Sequence, residues 1–227
     1  PLLCDPRFSA HYLTNPRHVL RFDACIIPGS KNVAADLLFL IERGFDRALR
    51  RYHAQGGRIA GICGGYQMLG RHIRDPHGVE SDRIELEGLG LLPVVSTLHT
   101  TKTTLPVQCR MQLPGSRPCT VEGYEIHMGT THVCEGAPTQ RMTPDSESQH
   151  VAGIASADGS VWGTYVHGLF DNDTFRDAFL TWAGGGLDNT EASSFCYRSF
   201  KEKNYDLLAG AVERHVDVAR IFKGIGL

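Results

Sequence analysis

The stretch Arg58–Gly70, RIAGICGGYQMLG, decides how this chain is read. Arg58-Ile59-Ala60 reads as a short buried strand. Gly61-Ile62-Cys63-Gly64-Gly65 then turns sharply, and Tyr66-Gln67-Met68-Leu69 resumes at helical spacing. Gly61-x-Cys63-x-Gly65 is the thiol version of the G-x-S-x-G elbow, which lifts a nucleophile above the edge of a sheet. Glycine is needed on both flanks because the turn is strained and crowded, and a Cβ would clash there. The amides at the start of the following helix point at the sulfur, which favours a thiolate and an anionic intermediate. A glycine-rich turn around an inert buried cysteine satisfies the same pattern, since free cysteine is commonly buried.

Upstream of the elbow, Asp23-Ala24-Cys25-Ile26-Ile27 is a short apolar run ending at Pro28-Gly29-Ser30. That is the pattern of a buried parallel strand followed by a loop. Gly29 and Ser30 can present backbone N–H groups from that loop, although many strands end in Pro-Gly. Asn32 or Ser30 can cap the next helix, where Leu37, Leu38, Ile41 and Phe45 recur at helical spacing. Gly44 interrupts it, Asp46 starts a second turn with Leu49 and Tyr52, and Gln55-Gly56-Gly57 closes it. Strand–helix–strand over this length implies a parallel sheet. Cys63 then lies at the C-terminal end of a strand, where open α/β sheets place their sites. Residues 1–22 are weakly patterned, with turn signals at Asp5-Pro6 and Asn15-Pro16, and read as the end of a strand and helix begun further upstream.

Downstream, the character changes. Asp75-Pro76-His77-Gly78 is a turn, and short apolar runs follow at Leu89–Val95, Leu105–Met111, Thr120–Met128 and Val151–Ala155. Their Pro, Gly and Thr separators predict strands of a more antiparallel region. Glu135–His150 carries no apolar period and reads as an exposed, mobile loop. Ser160–Val166 is another strand, ending in His167-Gly168. A helix over Thr174–Trp182 follows, capped by Asn172 or Asp173, and Gly184-Gly185-Gly186 punctuates. A last helix, roughly Phe200–Phe222, carries Leu207, Leu208, Val212, Val216 and Ile221 on one face, to pack against the domain or against sequence not present.

A chain of 227 residues suits one large α/β domain with a small appendage. Hydrophobic and charged fractions of 41% and 21% are those of an ordinary globular protein. A net charge of −2 gives no sign of a nucleic-acid or anionic-membrane partner. No apolar run is long enough to span a bilayer, and no leader is visible at the N-terminus, so the expected location is cytoplasmic. The chain begins without Met, as a fragment of a longer one does. Seven cysteines with no C-x-x-C spacing argue against a disulfide framework or structural zinc, and no metal is expected.

His167 ends its strand more than a hundred residues after Cys63, a separation that the fold can close. In an open parallel sheet both strand ends meet at one edge. His167 can then take the thiol proton and later give it to a leaving amine. Backbone N–H groups of Gly64 and of Gly29 or Ser30 can stabilise the oxyanion formed when an amide is attacked. A strand-end histidine bonded to a carbonyl is the plainer account of His167.

Five blocks occur here in order: Ile27–Asn32 (IPGSKN), Gly61–Gly70 (GICGGYQMLG), Gly88–Pro93 (GLGLLP), Tyr124–Gly129 (YEIHMG) and Gly163–Phe170 (GTYVHGLF). Together they resemble the glutamine amidotransferase domain of the cobyric acid synthases, a branch of the triad (class I) glutaminases, over roughly residues 20–222. Ile62 separates the chain from the sister a,c-diamide synthases, which usually carry Glu before the Cys. The resemblance implies an α/β fold: an open, mostly parallel, flavodoxin-like sheet with flanking helices and an antiparallel portion. It implies one amidotransferase domain, with its core at about 20–183 and a helical extension at about 195–227. Cys63 matches the nucleophile that forms a γ-glutamyl thioester, and His167 the general acid/base. Gln67 matches the residue that holds the substrate glutamine, and Gly29 and Gly64 the oxyanion donors. His127 and Gly129 fall where related glutaminases line the pocket, although His127 can equally be structural.

The usual triad Glu, two residues after the His, is Leu169 here, so the site resembles a Cys–His dyad. Glu125 or a backbone carbonyl is left to orient the imidazole. No G-x-x-x-x-G-K-[ST] loop is present, so this domain is expected to need no cofactor of its own. By resemblance, ATP and Mg²⁺ belong to an N-terminal synthetase domain of the same polypeptide. That domain amidates carboxylates of a corrinoid acceptor in cobalamin biosynthesis with ammonia from glutamine. Two other readings stand beside this one: a cysteine hydrolase of the DJ-1/PfpI kind, and a docking subunit that keeps the fold. An amidotransferase serving another acceptor is a further variant.

Overall fold

The computed structural model describes residues 1–143, 153–185 and 195–224. They form two compact units: His11–Leu187, and Pro1–Ala10 with Asp188–Leu227.

The larger unit is α/β. β1 (Ala24–Ile27), the helices α1 (Val33–Glu42) and α2 (Phe45–Ala54), and β2 (Arg58–Ile62) make the anticipated strand–helix–strand unit. β1 and β2 are parallel, with Ile27 opposite Gly61. β2 in turn runs parallel to β9 (Val161–Thr164), with Ile62 opposite Thr164. β8 (Ile154–Ser156) and β7 (Thr139–Arg141) extend this sheet antiparallel, in the order β1-β2-β9-β8-β7. Alternation along the strands sends neighbouring residues to opposite faces. Ile59 joins Leu37, Leu49 and Tyr52 of α1 and α2 in one core. Trp162, from the opposite face, packs edge-on against Phe175, Phe179 and Trp182 of α4 (Asp173–Trp182). Each such side chain stabilises the fold by about 1.5–3 kcal/mol when fully buried.

The antiparallel region forms a second sheet, β10-β6-β5-β3-β4, built on a long two-stranded arm. Its members are β3 (His72–Arg74), β4 (Glu85–Glu87), β5 (Val94–Met111), β6 (Cys119–Val133) and β10 (Val166–His167). The runs at Leu89–Val95 and Leu105–Met111 are therefore not two strands. Val94–Met111 is continuous, with a register irregularity between Thr97 and Lys102, and Leu89–Pro93 is loop. The expectation of a structureless Glu135–His150 is corrected at Thr139–Arg141, which pairs with β8. Residues 144–150, like 151, 152 and Gly186, lie outside the described residues. Residues 1–22 contain no strand, only a 3-10 turn over Pro16–Arg21 opened by Asn15.

Asn172 sits at the start of α4 without capping it. Its side chain instead bonds both the N–H and the carbonyl of Glu122 at 3.0 Å, and the Gly168 carbonyl at 3.0 Å. It thus ties β6 to the turn that follows His167. In the smaller unit, the expected single helix is two, α5 (Tyr197–His215) and α6 (Val218–Gly224). Val216 is extended, and the Asp217 carboxylate accepts from the Arg220 N–H at 3.0 Å, restarting the helix. Leu207, Leu208, Val212, Val216 and Ile221 are exposed.

Candidate functional site

Register brings the site together. Gly61, opposite Ile27, and Ile62, opposite Thr164, are the last paired residues of β2. Gly29 and Cys63 lie just beyond such a pair at the C-terminal edge of the parallel strands, and His167, three residues past Thr164, meets them from β10 of the second sheet. The Cys63 N–H extends the ladder by one bond, to the Thr164 carbonyl at 2.7 Å. α3 (Gly64–Leu69) starts immediately after Cys63.

The elbow is as tight as its glycines require. A Cβ on Gly61 would lie 2.5 Å from Leu69 Cδ1, and one on Gly65 would lie 2.0 Å from the Ile27 carbonyl oxygen. Cys63 has φ 52° and ψ −110°, and is alone among the described non-glycine residues in having a positive φ. A residue held there costs of order 1–3 kcal/mol. This strain yields a sign test. Cys63→Gly is expected to be more stable than Cys63→Ala by roughly 1 kcal/mol in denaturant unfolding, reversing the usual preference for alanine in regular structure. Alanine the more stable of the two would remove the claim of strain.

Cys63 and His167 converge. A point one Cβ out from Gly29 lies 3.4 Å from His167 Cε1 and 3.7 Å from Cys63 Cβ. His167 Nε2 is buried and has no hydrogen-bond partner among the described residues. The Ile126 backbone also favours the protonated imidazole. The ring also stacks on Tyr124 at 5.1 Å, 6° from parallel.

The charge state departs from the expectation of a thiolate. Burial pushes the Cys63 thiol up, and the Gly64 amide that bonds its sulfur offsets this only in part. The thiol itself contacts the Ile126 carbonyl at 3.4 Å. Burial, and then like-charge interaction with His127, push His167 below the ordinary histidine value, against smaller pulls from Glu125 and the Ile126 backbone. Both shifts favour the neutral forms of thiol and imidazole. Removing charge from water outweighs one turn of helix amides.

The remaining residues divide into two groups. The Gly29 and Ser30 amides have no partner among the described residues. The Ser30 hydroxyl is committed, donating to Asp36 and accepting from the Asn32 N–H at 3.0 Å. A Cβ on Gly64 would lie 2.9 Å from Ser30 N, so the Gly64 and Ser30 backbones pack closely against each other. Gln67 is buried, and its amide nitrogen donates to the Met128 carbonyl at 3.4 Å and to the Tyr165 hydroxyl at 3.1 Å. His127 bonds the Gly129 carbonyl through Nδ1 at 2.9 Å, meets Glu125 through Nε2 at 3.3 Å, and stacks on Tyr165 at 4.0 Å. Gly129 occupies the arm's irregularity with φ 121°, where a Cβ would strike the Thr97 carbonyl at 2.4 Å. Sequence reasoning missed Tyr165, which passed as one more residue of an apolar strand. It also missed Glu80, whose carboxylate caps α1 at Val33 and Ala34 from a loop held by Asp75.

Among known proteins, the profile of the CobB/CobQ-like glutamine amidotransferase domain matches residues 1–175. Cobyric acid synthase of Syntrophobacter fumaroxidans is 39% identical over 98% of this chain and 45% of its own length. That of Geobacillus kaustophilus is 39% identical over 97% and 43%, and that of Salmonella arizonae 40% over 97% and 45%. The chain thus spans about half the length of the curated relatives it matches. A solved glutamine amidotransferase superposes with a TM-score of 0.55 at 16% identity, covering 77% of this chain and 86% of the other, which shows the shared fold.

Proposed function

This chain belongs to the CobB/CobQ-like glutamine amidotransferase family, and from that premise we propose that it is the glutaminase half of a cobyric acid synthase. The observation that carries the reading is the convergence of Cys63, His167 and the Gly29 backbone, with a His167 Nε2 that has no hydrogen-bond partner among the described residues.

The sulfur attacks the γ-carboxamide carbon of glutamine while His167 Nε2 takes the thiol proton. Because both groups rest neutral, charge develops only as the bond forms. Developing negative charge on the carboxamide oxygen falls to the amides of Gly29 or Ser30 and of Gly64, fixed donors that need no reorganisation. Collapse breaks the C–N bond, and the imidazolium returns its proton to the departing ammonia. The γ-glutamyl thioester left on Cys63 is hydrolysed by water, activated by the same Nε2, to release glutamate. Gln67 holds the substrate, and His127 and Gly129 shape the wall beside it.

The ammonia passes to an ATP- and Mg²⁺-dependent synthetase portion of the polypeptide, which amidates corrinoid carboxylates. The greater length of the relatives named cobyric acid synthase supports that arrangement. The domain as a whole works without a cofactor of its own, in the cytoplasm.

The test is covalent trapping. A glutamine-like diazoketone given to the full-length protein is expected to add its mass to the peptide carrying Cys63 alone. Label on Cys25 or Cys196 instead would overturn the assignment.

A further inference from the structure

We propose that Tyr165 is a positioning residue for glutamine binding: its hydroxyl anchors the Gln67 carboxamide in the site. This rests on the reading of Gln67 as a ligand of the substrate.

Tyr165 is the single residue between β9 and β10, so the chain passes from one sheet to the other at its Cα. Its hydroxyl is the junction of a buried polar chain. Gln67 Nε2 donates to it at 3.1 Å, it bonds Thr131 Oγ1 at 2.6 Å, and Thr131 bonds Ser96 Oγ at 2.7 Å. Ser96 is fully buried. Burial also pushes the Tyr165 phenol up to about 12, so the hydroxyl keeps its proton at any working pH. A phenol has one hydrogen to give. Either hydroxyl of the Tyr165–Thr131 pair can be the donor, and the Tyr165 oxygen accepts from Gln67 in either case.

The consequence is a fixed amide. With Nε2 held by the Tyr165 oxygen and the Met128 carbonyl, a flip would press Gln67 Oε1 against that carbonyl. Oε1 has no partner among the described residues and is left as a presented acceptor. Without the phenol, only the 3.4 Å contact to Met128 would hold the carboxamide. The ring is fixed independently, by its stack on His127 and an edge contact with Tyr66 at 5.3 Å. Losing the hydroxyl therefore need not move the ring.

Tyr165→Phe in the full-length protein is expected to raise KM for glutamine about tenfold, with kcat changed less than about threefold. Diazoketone labelling should split the same way, with weaker apparent binding and an unchanged limiting rate. Thr131→Val, which leaves Tyr165 whole but unanchored, should raise KM severalfold. Tyr66→Phe, a neighbouring buried phenol outside the chain, should leave both constants alone. An active parent whose Tyr165→Phe variant keeps its KM, or loses kcat alone, overturns this inference and leaves the glutaminase intact. A full-length parent that neither hydrolyses glutamine nor takes label overturns the proposed function, and this inference with it. Should Tyr165→Phe not fold, Thr131→Val with parental KM overturns the inference.

Discussion

Cys63→Ala in the full-length protein is expected to abolish glutamine hydrolysis, a fall of roughly four orders of magnitude or more in kcat. The size follows from the role. Without the sulfur no thioester forms, and the amides of Gly29 and Gly64 have no addition intermediate to hold. Ammonia supplied externally should bypass the loss in any coupled amidation, because only its generation is removed. The fold should survive, since the substitution at 63 takes away one sulfur atom and adds nothing to the crowded elbow. Hydrolysis persisting at parental rate in this variant would place the chemistry elsewhere.

His167→Ala is expected to cost roughly two to four orders of magnitude in kcat, less than loss of the nucleophile, as is usual for a positioned acid–base group. The resting charge state makes the demand explicit. A buried thiol pushed up by its surroundings ionises little by itself, so the base must take its proton during attack. The sign of the pH dependence follows. In the proposed mechanism His167 works as neutral imidazole, and its surroundings push it below the ordinary value of about 6.5. The acidic limb of kcat/KM for the parent should therefore fall with a midpoint below that value, with full activity above it. A limb centred well above 7 would show that desolvation does not govern His167.

Much of this was legible where the requirement is local. The elbow is a steric statement about Gly61 and Gly65, and those clashes depend on neighbours only a few residues away or on the adjacent strand. β1, α1 and α2 followed from apolar spacing and from Asn32, whose side chain accepts from the Ala35 N–H as a cap should. What stayed hidden depended on pairing across long separations. Ser96–Thr104 reads as the separator between two short strands, yet it is part of one strand, because a two-stranded arm with exposed faces needs no apolar alternation. Asn172 looked like a helix cap, since nothing nearby reveals that Glu122 will lie beside it. Tyr165 looked like a strand residue because its significance is the break it makes. The neutral resting dyad was equally out of reach, as burial is a property of the assembled fold.

That break sets a mechanical condition. Cys63 is carried by the end of β2 and His167 by β10, and these belong to different sheets, joined here through one tyrosine. The sulfur and the imidazole are thus mounted on separate frames. Sliding one frame against the other by a fraction of an ångström alters their separation directly, without unfolding either.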